Sequence, residues 1–251
     1  MRMTVAYDGS GFLGWQVQAA GRTVQGEVME ALRRMHDRDV TVYAAGRTDS
    51  GVHADGQVIS FRTDIDSIPA KSFHVALNSY LPGDVRALCS AEVDDEFHAR
   101  YTALRRIYRY FWSCSPSVPP HVRRRATRLK HRPDIRRLNE LARPILGEHD
   151  YSTFTPPSEP SKSRVRVVDQ IAFFPLGELV VMQIGANAFL WRMVRSIAGT
   201  LIELDKLACE PVEVEERLNA CDHAAAGPSS PAAGLVLHRV DYPGDPCGGL
   251  V

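Results

Sequence analysis

The sequence has no long hydrophobic run and no net charge. No stretch of the 251 residues approaches the roughly 18 apolar residues that suggest a membrane span, and the first residues lack the apolar core of a secretory signal. Lysine plus arginine and aspartate plus glutamate both number 30, so the total charge points to no nucleic acid, membrane or acidic partner. We therefore expect a cytoplasmic protein with no membrane partner.

Cysteine is also scarce. The five cysteines are an odd number and widely spaced, with no CxxC pair and no histidine at zinc-finger spacing. This pattern predicts reduced thiols and no zinc site.

Charge is nevertheless distributed unevenly along the chain. Residues 100 to 137 contain twelve lysines and arginines and a single acid, Asp134. Residues 203 to 222 contain seven acids and only two basic residues. The balanced total therefore conceals one basic and one acidic segment.

Hydrophobic periodicity predicts a mixture of strands and helices. Alternation predicts strands at residues 3–7, 57–61, 105–112, 165–174, 178–185 and 235–242. Helical spacing predicts helices at residues 24–35, at 135–145 after the N-cap Asp134, and at 189–201. Strands mixed with one-sided helices indicate the α+β class.

The length suits two domains, and the change to basic composition near residue 102 is the best boundary between them. We predict an N-terminal subdomain at residues 1–102 and a C-terminal subdomain at residues 103–251. The Pro- and Ser-rich segment TPPSEPSKS, residues 155–163, is predicted to be an exposed loop.

The stretch GRTDSGVHADGQV, residues 46 to 58, places Arg47, Asp49 and His53 around a glycine-bracketed turn. Glycine lets a ligand approach the backbone closely. A carboxylate at such a turn, Asp49, can act on the ligand as a nucleophile or a general base. A turn in which Asp49 caps backbone amides and Arg47 is solvated explains the same pattern. His53 can be a base, a metal ligand or a structural residue, although no second pair of ligands is evident. Spacing alone leaves these alternatives open.

The segment RRIYRYFW, residues 105 to 112, interleaves arginines with aromatic residues, among them Tyr108. RNA phosphates attract arginine, and unstacked bases pack on aromatic rings. A core strand with a solvated or acid-paired face has the same composition, so both interpretations stay open. Farther along, Arg195 lies about 150° from the centre of its helix's apolar stripe, which predicts a surface arginine.

Seven segments together resemble the tRNA pseudouridine synthase A family. In chain order they are YDGSGFLGWQ (7–16), RTVQGEV (22–28), GRTDSGVHADGQV (46–58), ALNSYLPGDV (76–85), FHARYTALRRIYRY (97–110), NAFLWRMVRSIAGTLIEL (187–204) and AGLVLHRVDYP (233–243). They span nearly the full length, and GRTDSGVHA is highly specific.

The resemblance implies an enzyme that isomerises uridine to pseudouridine in the anticodon stem-loop of tRNA, around positions 38 to 40. It implies no metal and no organic cofactor. It also implies a homodimer and an α+β fold of two pseudo-symmetric subdomains, each a mostly antiparallel sheet with helices on one face, with the active cleft between them.

The family's functional residues fall on five positions. By resemblance, Asp49 is the essential aspartate, Tyr108 is the tyrosine of the basic strand and Arg195 is the arginine of the helix, and these three are the expected catalytic residues. Arg47 and Leu235, with Tyr108, are expected to bind the substrate.

Two features depart from the family's pattern. The loop at residues 155–163 replaces a G-x-C-like segment of bacterial members, and Trp191 and Arg192 stand where smaller residues or histidines are expected. Both concern substrate choice and leave the reaction unaffected.

Two other classes of function remain open. A non-catalytic RNA-binding or chaperone protein explains the basic aromatic strand but gives no reason for the glycine-bracketed turn. A hydrolase that uses Asp49 and His53 explains the turn but not the basic segment.

Overall fold

The structure, a computed structural model, describes residues 1 to 245. Its strands and α-helices, in chain order, are β1 (Arg2–Tyr7), α1 (Val24–His36), β2 (Tyr43–Ala44), β3 (His53–Ser60), α2 (Phe73–Asn78), β4 (Val85–Ala91), β5 (Arg105–Ser113), α3 (Pro120–Arg123), β6 (Thr127–Arg128), α4 (Ile135–Ala142), β7 (Gly147–Asp150), β8 (Val165–Leu176), β9 (Leu179–Ala186), α5 (Met193–Lys206), α6 (Pro211–Asn219) and β10 (Leu235–Asp241). The predicted α+β class is confirmed.

The chain divides into two units. Unit 1 contains Met1–Leu104 and the described residues from Val236 onward, and unit 2 contains Arg105–Leu235. The sequence analysis places the whole of 103–251 in the second subdomain, whereas Ala103, Leu104 and the described residues after Leu235 group with unit 1. The physical reason is strand pairing, since Val236 and Leu237 of β10 pair in parallel with β3 of unit 1.

In unit 1, β1 lies between β3 and β4 and pairs antiparallel with both. The helix α1 begins after the N-cap Thr23, whose hydroxyl accepts a hydrogen bond from the amide of Gly26 at 3.3 Å. Its apolar stripe, which includes Val24, Val28 and Leu32, is buried as the spacing predicts. The helix α2 packs on β4, and neither element was predicted from the sequence.

In unit 2, the strands lie in the order β5, β9, β8 and β7, and each neighbouring pair is antiparallel. The helix α4 packs on β8 and on α5. Asp134 caps α4 as predicted, because its carboxylate accepts hydrogen bonds from the amides of Arg136 and Arg137 at 2.9 and 3.3 Å. The predicted strands are confirmed with shifts of a few residues at their ends.

The helix α5 begins later than the periodicity predicts, at Met193 instead of Phe189. Arg192 adopts a left-handed backbone conformation with φ of 59°, so the preceding residues cannot continue the helix. Within α5, Gly199 lies against the backbone of the segment 228–230. A Cβ at Gly199 would overlap the carbonyl oxygen of Pro228 and would lie 2.9 Å from the amide nitrogen of Ser230.

The cysteines differ in part from the prediction. Cys89, on β4, is disulfide-bonded, so the expectation of reduced thiols is wrong at that position. Spacing along a sequence carries no information on which cysteines meet in space. Cys114, Cys209 and Cys221 are free, as expected, and Cys247 lies outside the described residues. No helix within residues 1 to 245 is long and apolar enough to span a membrane.

The close packing at Gly199 generates a stability prediction. Helix propensity alone favours alanine over glycine by about 1 kcal/mol. We expect Gly199→Ala to lower the free energy of unfolding by about 1–3 kcal/mol nevertheless, because the added methyl group must displace the backbone at Pro228. Chemical denaturation measures this. The control is Gly83→Ala, where a Cβ would meet no atom of the described residues within 4 Å. A Gly199→Ala protein as stable as the wild type would contradict the packing argument.

Candidate active site

Asp49 lies in the loop between β2 and β3 of unit 1, with a half-buried side chain. The carbonyl oxygen of Asp49 accepts a hydrogen bond from the amide of Val52 at 3.1 Å, which closes a four-residue turn. The third residue of this turn, Gly51, has φ of 78°, a conformation that favours glycine. The glycine after Asp49 in the sequence is therefore required by the turn itself.

The loop is fixed by the segment that follows β1. The hydroxyl groups of Thr48 and Tyr7 form a buried hydrogen bond of 2.8 Å. The carbonyl oxygen of Thr48 accepts a hydrogen bond from the amide of Trp15 at 3.0 Å, and the amide of Gly51 donates to the carbonyl oxygen of Phe12 at 3.3 Å. Asp49 is thus held in place on both sides along the chain.

Two glycines let these segments approach each other. A Cβ at Gly14, which has φ of 99°, would lie 2.7 Å from the carbonyl oxygen of Thr48. A Cβ at Gly9 would overlap the carbonyl oxygen of Val52. Gly9 and Gly14 of YDGSGFLGW therefore have a steric reason, which is the space occupied by the backbone of the Asp49 loop.

Tyr7 is protonated at physiological pH. Burial raises the pKa of its hydroxyl to about 12, although the hydrogen bond with Thr48 acts in the opposite direction. The Tyr7 hydroxyl therefore keeps its proton and its hydrogen-bonding role across the physiological range.

His53 is a structural residue. Its side chain is fully buried, its Nδ1 atom accepts a hydrogen bond from the amide of Gly9 at 3.1 Å, and the same atom lies 3.3 Å from Asp8 Oδ1. No group of three or more His, Cys, Asp or Glu side chains within residues 1 to 245 could hold a metal ion. The interpretations of His53 as a base or a metal ligand have no support in this geometry.

Arg47 presents its guanidinium to solvent. Its side chain is exposed, and it forms no ion pair with any carboxylate of residues 1 to 245. An exposed guanidinium two residues from Asp49 is a suitable ligand for a phosphate group.

Tyr108 lies on β5 of unit 2, opposite Ile184 of β9, and only 7% of its surface is exposed. Its ring meets the ring of Phe189 edge to face, with centroids 5.2 Å apart and an interplanar angle of 89°. Phe189 belongs to the segment that leads into α5, so Tyr108 and the start of that helix are packed together.

Arg195 lies on the first turns of α5 and is half-buried, not on the surface as the helical periodicity predicts. Its Nε atom donates a hydrogen bond to the carbonyl oxygen of Ser230 at 2.8 Å, and its own carbonyl oxygen accepts one from the Ser230 amide at 3.0 Å. The segment around Ser230 covers this side of the helix, which the periodicity of α5 alone cannot reveal.

Leu235 is buried, with 5% of its surface exposed, at the first position of β10. The preceding residue, Gly234, approaches the ring of Tyr110 so closely that a Cβ would overlap it. The hydroxyl of Tyr110 donates to the carbonyl oxygen of Pro231 at 2.6 Å. Tyr110 and Arg195 therefore hold adjacent residues of one segment, Pro231 and Ser230.

The basic segment separates into structural and exposed residues. Arg105 forms an ion pair of 2.8 Å with Asp169, Arg106 is buried and donates to the carbonyl oxygen of Asn187, and Arg109 donates to Gln183. The strand arginines thus have structural roles. A second set, which we call the exposed basic cluster, faces solvent: Arg123, Arg124, Arg125, Arg128, Lys130 and Arg132.

The predicted site residues fall on both units. Asp49 and Arg47 lie on one loop of unit 1, and Tyr108, Arg195 and Leu235 lie in unit 2. The supporting residues that the sequence analysis missed are Tyr7, Thr48, Tyr110 and Ser230. Tyr7 and Thr48 flank motifs that the sequence does show, but their contact joins residues 41 positions apart and has no local signal.

Comparison with known proteins identifies the family. The family model described as tRNA pseudouridine synthase matches residues 3–102 and 141–243, and Tyr108 lies between the two matched stretches. The chain is 40% identical over 248 residues to tRNA pseudouridine synthase A of Treponema denticola, with 97% of this chain and 92% of the relative covered. It is 41% identical over 244 residues to tRNA pseudouridine synthase A of Moorella thermoacetica, with 96% and 99% covered.

A solved structure is also similar to the chain. It is the crystal structure of a Cbf5-Nop10-Gar1 complex, with 13% identity, a TM-score of 0.41, and 96% of this chain and 50% of that chain covered. A likeness at this level adds nothing to the assignment, which depends on the family model and the relatives. The family predicted from the seven motifs is confirmed: the chain belongs to the tRNA pseudouridine synthase family.

Proposed function

We propose that this protein isomerises uridine to pseudouridine in the anticodon stem-loop of tRNA, around positions 38 to 40, as a cytoplasmic enzyme. The observation that carries the proposal is the position of the Asp49 carboxylate on a fixed turn. A half-buried carboxylate lies on a turn that is fixed on both sides by hydrogen bonds to Tyr7 at the end of β1 and to the segment that follows it. Membership of the family supports the same conclusion.

The chemistry explains why a carboxylate is the central group. The reaction breaks the bond between C1′ and N1 and forms a bond between C1′ and C5. C5 loses its proton and N1 gains one, so atoms and electrons balance without an oxidant or a reductant. An ionised Asp49 has three routes, namely addition to uracil C6, attack on ribose C1′, or removal of the 2′ proton. The reaction itself requires no cofactor.

Tyr108 and Arg195 are the proposed partners of Asp49. Tyr108 would stack against the uracil and would accept the C5 proton or relay it to another base. Arg195 would stabilise the charged form of the carboxylate. The contact of Tyr108 with Phe189 and the hydrogen bonds of Arg195 to Ser230 support these roles, because both side chains are held in defined positions within unit 2.

Arg47 is proposed to handle the displaced nucleotide. An enzyme that acts on a base within a folded RNA must take that base out of its stack. The exposed guanidinium of Arg47 would fill the vacated space or bind a phosphate, and buried Leu235 would line the uracil pocket. We further propose that the enzyme acts as a homodimer and that the exposed basic cluster contacts the tRNA backbone.

Replacement of Asp49 tests the assignment of the reacting group. We expect Asp49→Asn to reduce kcat by about 10⁴-fold, since the amide cannot act as nucleophile or base. Conversion of a tRNA transcript, mapped by carbodiimide treatment and primer extension, is the measurement. Asp64→Asn, which changes an exposed aspartate paired with Arg38, is the matched control.

The same assay separates the other classes of function. Full activity of Asp49→Asn would remove the assignment. Wild-type protein that binds tRNA without converting it would indicate an RNA-binding or chaperone function. Wild-type protein without salt-dependent tRNA binding would indicate the hydrolase.

The hydrogen bond between Tyr7 and Thr48 gives a second prediction. We expect Tyr7→Phe to lower the free energy of unfolding by about 1 kcal/mol and to lower kcat by about tenfold, because Thr48 loses the bond that fixes the residue before Asp49. Denaturation and single-turnover conversion measure the two effects. The control is Tyr80→Phe, at an exposed tyrosine. Loss of stability with unchanged kcat would show that backbone hydrogen bonds alone position the loop.

The exposed basic cluster gives a third prediction. We expect joint replacement of Arg123, Arg124 and Arg125 by glutamine to weaken tRNA binding and to reduce the slope of log K against log salt, by about 0.7 to 0.9 for each phosphate that the variant no longer neutralises. Filter binding at several salt concentrations measures both. The control removes the same charge from the exposed residues Arg33, Arg38 and Arg62. An equal effect in both variants would contradict a specific role for the cluster.

A further inference from the structure

The segment that leads into α5 presents an exposed aromatic and cationic pair. Trp191 is 42% exposed, and the exposed side chain of Arg192 places its Cζ atom 4.7 Å from the centroid of the indole ring. This distance is typical of a cation–π contact. The pair forms two adjacent planar groups at the surface of unit 2.

The backbone of Trp191 is tied to the loop at residues 155–163. Its amide donates a hydrogen bond to Glu159 Oε2 at 2.7 Å, and its carbonyl oxygen accepts one from Thr155 Oγ1 at 2.9 Å. Glu159 Oε1 in turn accepts hydrogen bonds from the amide and the hydroxyl of Ser161, at 3.0 and 2.6 Å. The loop is only partly exposed, since Thr155 is fully buried, and its hydrogen bonds hold the backbone of Trp191.

Glu159 is charged in this arrangement. Burial opposes ionisation of the carboxyl group, but the hydrogen bonds from Ser161 and from the Trp191 amide prevail and lower its pKa. A charged acceptor makes the hydrogen bond to the Trp191 amide stronger than one between neutral groups.

The backbone conformation of Arg192 is unusual for a residue that precedes a helix. Four non-glycine residues within residues 1 to 245 have positive φ, and three of them, Asp37, Ala208 and Cys221, follow the C-terminal ends of helices, where this conformation is common. Arg192 is the fourth, and it precedes a helix. Glycine would adopt φ of 59° without strain, so an arginine at this position has a cost in folding free energy.

Trp191 and Arg192 lie close in the chain to the proposed catalytic arginine, Arg195. Arg192 is three residues before Arg195, and its carbonyl oxygen accepts a hydrogen bond from the Ser196 amide at 3.0 Å in the first turn. Phe189, from the same segment, contacts Tyr108. A nucleotide beside the uridine is therefore the part of the substrate that fits here.

We propose that Trp191 and Arg192 form a stacking site for an unstacked base of the tRNA next to the uridine that is isomerised. The inference rests on the proposed function. A base stacks on the planar guanidinium, which is backed by the indole, or on the indole itself. The guanidinium also attracts the adjacent phosphate. Glu159 acts as a positioning residue for the pair.

Intrinsic fluorescence tests the site directly, because the chain contains three tryptophans and the other two, Trp15 and Trp112, are each only 1% exposed. We expect an anticodon stem-loop RNA to quench the emission of the wild-type protein, and the quenching to disappear in Trp191→Phe. Quenching of the same size in Trp191→Phe would overturn the proposal, since it would come from a buried tryptophan.

Affinity and kinetics give the second readout. Removal of a stacking partner is expected to weaken binding of the stem-loop and to raise KM by about tenfold in Trp191→Ala, with kcat nearly unchanged. Trp191→Phe keeps a ring and should bind nearly as well as the wild type. Unchanged KM in Trp191→Ala would overturn the stacking site. If wild-type protein converts tRNA, such a result overturns only this inference; if it neither binds nor converts tRNA, the proposed function falls with it.

Arg192→Gly distinguishes a role of the guanidinium in RNA binding from a role in the stability of the fold. We expect this variant to unfold at the same denaturant concentration as the wild type or a higher one, because strain is relieved, and to bind the stem-loop about tenfold more weakly. Arg62→Gly, at another exposed arginine, controls for the removal of one positive charge. Wild-type affinity in Arg192→Gly would overturn the role of the guanidinium.

Glu159→Ala tests the positioning role. We expect faster quenching of Trp191 by acrylamide and weaker RNA binding in this variant, because the Trp191 amide loses its acceptor. Acrylamide quenching and RNA affinity that both match the wild type would exclude Glu159 from the site.

Discussion

The close backbone approach between the segment after β1 and the loop around Asp49 is the constraint on which unit 1 depends. At Gly9 and Gly14 there is no space for a side chain, because the carbonyl oxygens of Val52 and Thr48 occupy it. The same approach brings the Tyr7 hydroxyl within 2.8 Å of Thr48. The motifs YDGSGFLGWQ and GRTDSGVHADGQV are separate in the sequence, but in the structure they pack against each other and fix each other's position.

In unit 2, a proposed catalytic side chain is held in place by a separate segment of the chain. There the proposed catalytic arginine lies on a helix, and a helix offers no spare backbone groups in its interior with which to hold a side chain. The segment at 228–231 supplies them, since Ser230 contacts Arg195 through both its amide and its carbonyl group. Tyr110 secures the next residue of that segment, and Gly199 allows the segment to lie against the helix.

The sequence allowed the fold class, the family and most strands to be predicted, and the differences from the structure have physical causes. The residues of β10 from Val236 onward group with unit 1, and their pairing with β3 is a tertiary contact that no local pattern records. The start of α5 was placed too early because apolar spacing continues through Arg192 although its backbone does not. Periodicity made Arg195 a surface residue because it describes one helix in isolation, and Ser230 comes from elsewhere in the chain.

The position of β1 has a consequence for the motion of the Asp49 loop. β1 is paired on both sides, with β3 and β4, and the loop is bonded to Tyr7 at its end. Loops that bind substrates usually belong to the least protected parts of a protein and exchange their amide hydrogens by local opening. Here the amides of Trp15, Gly51 and Val52 are hydrogen-bonded, and the loop adjoins a strand that is paired on both sides. We therefore expect these amides to exchange slowly for a loop, as parts of the hydrogen-bonded framework of unit 1.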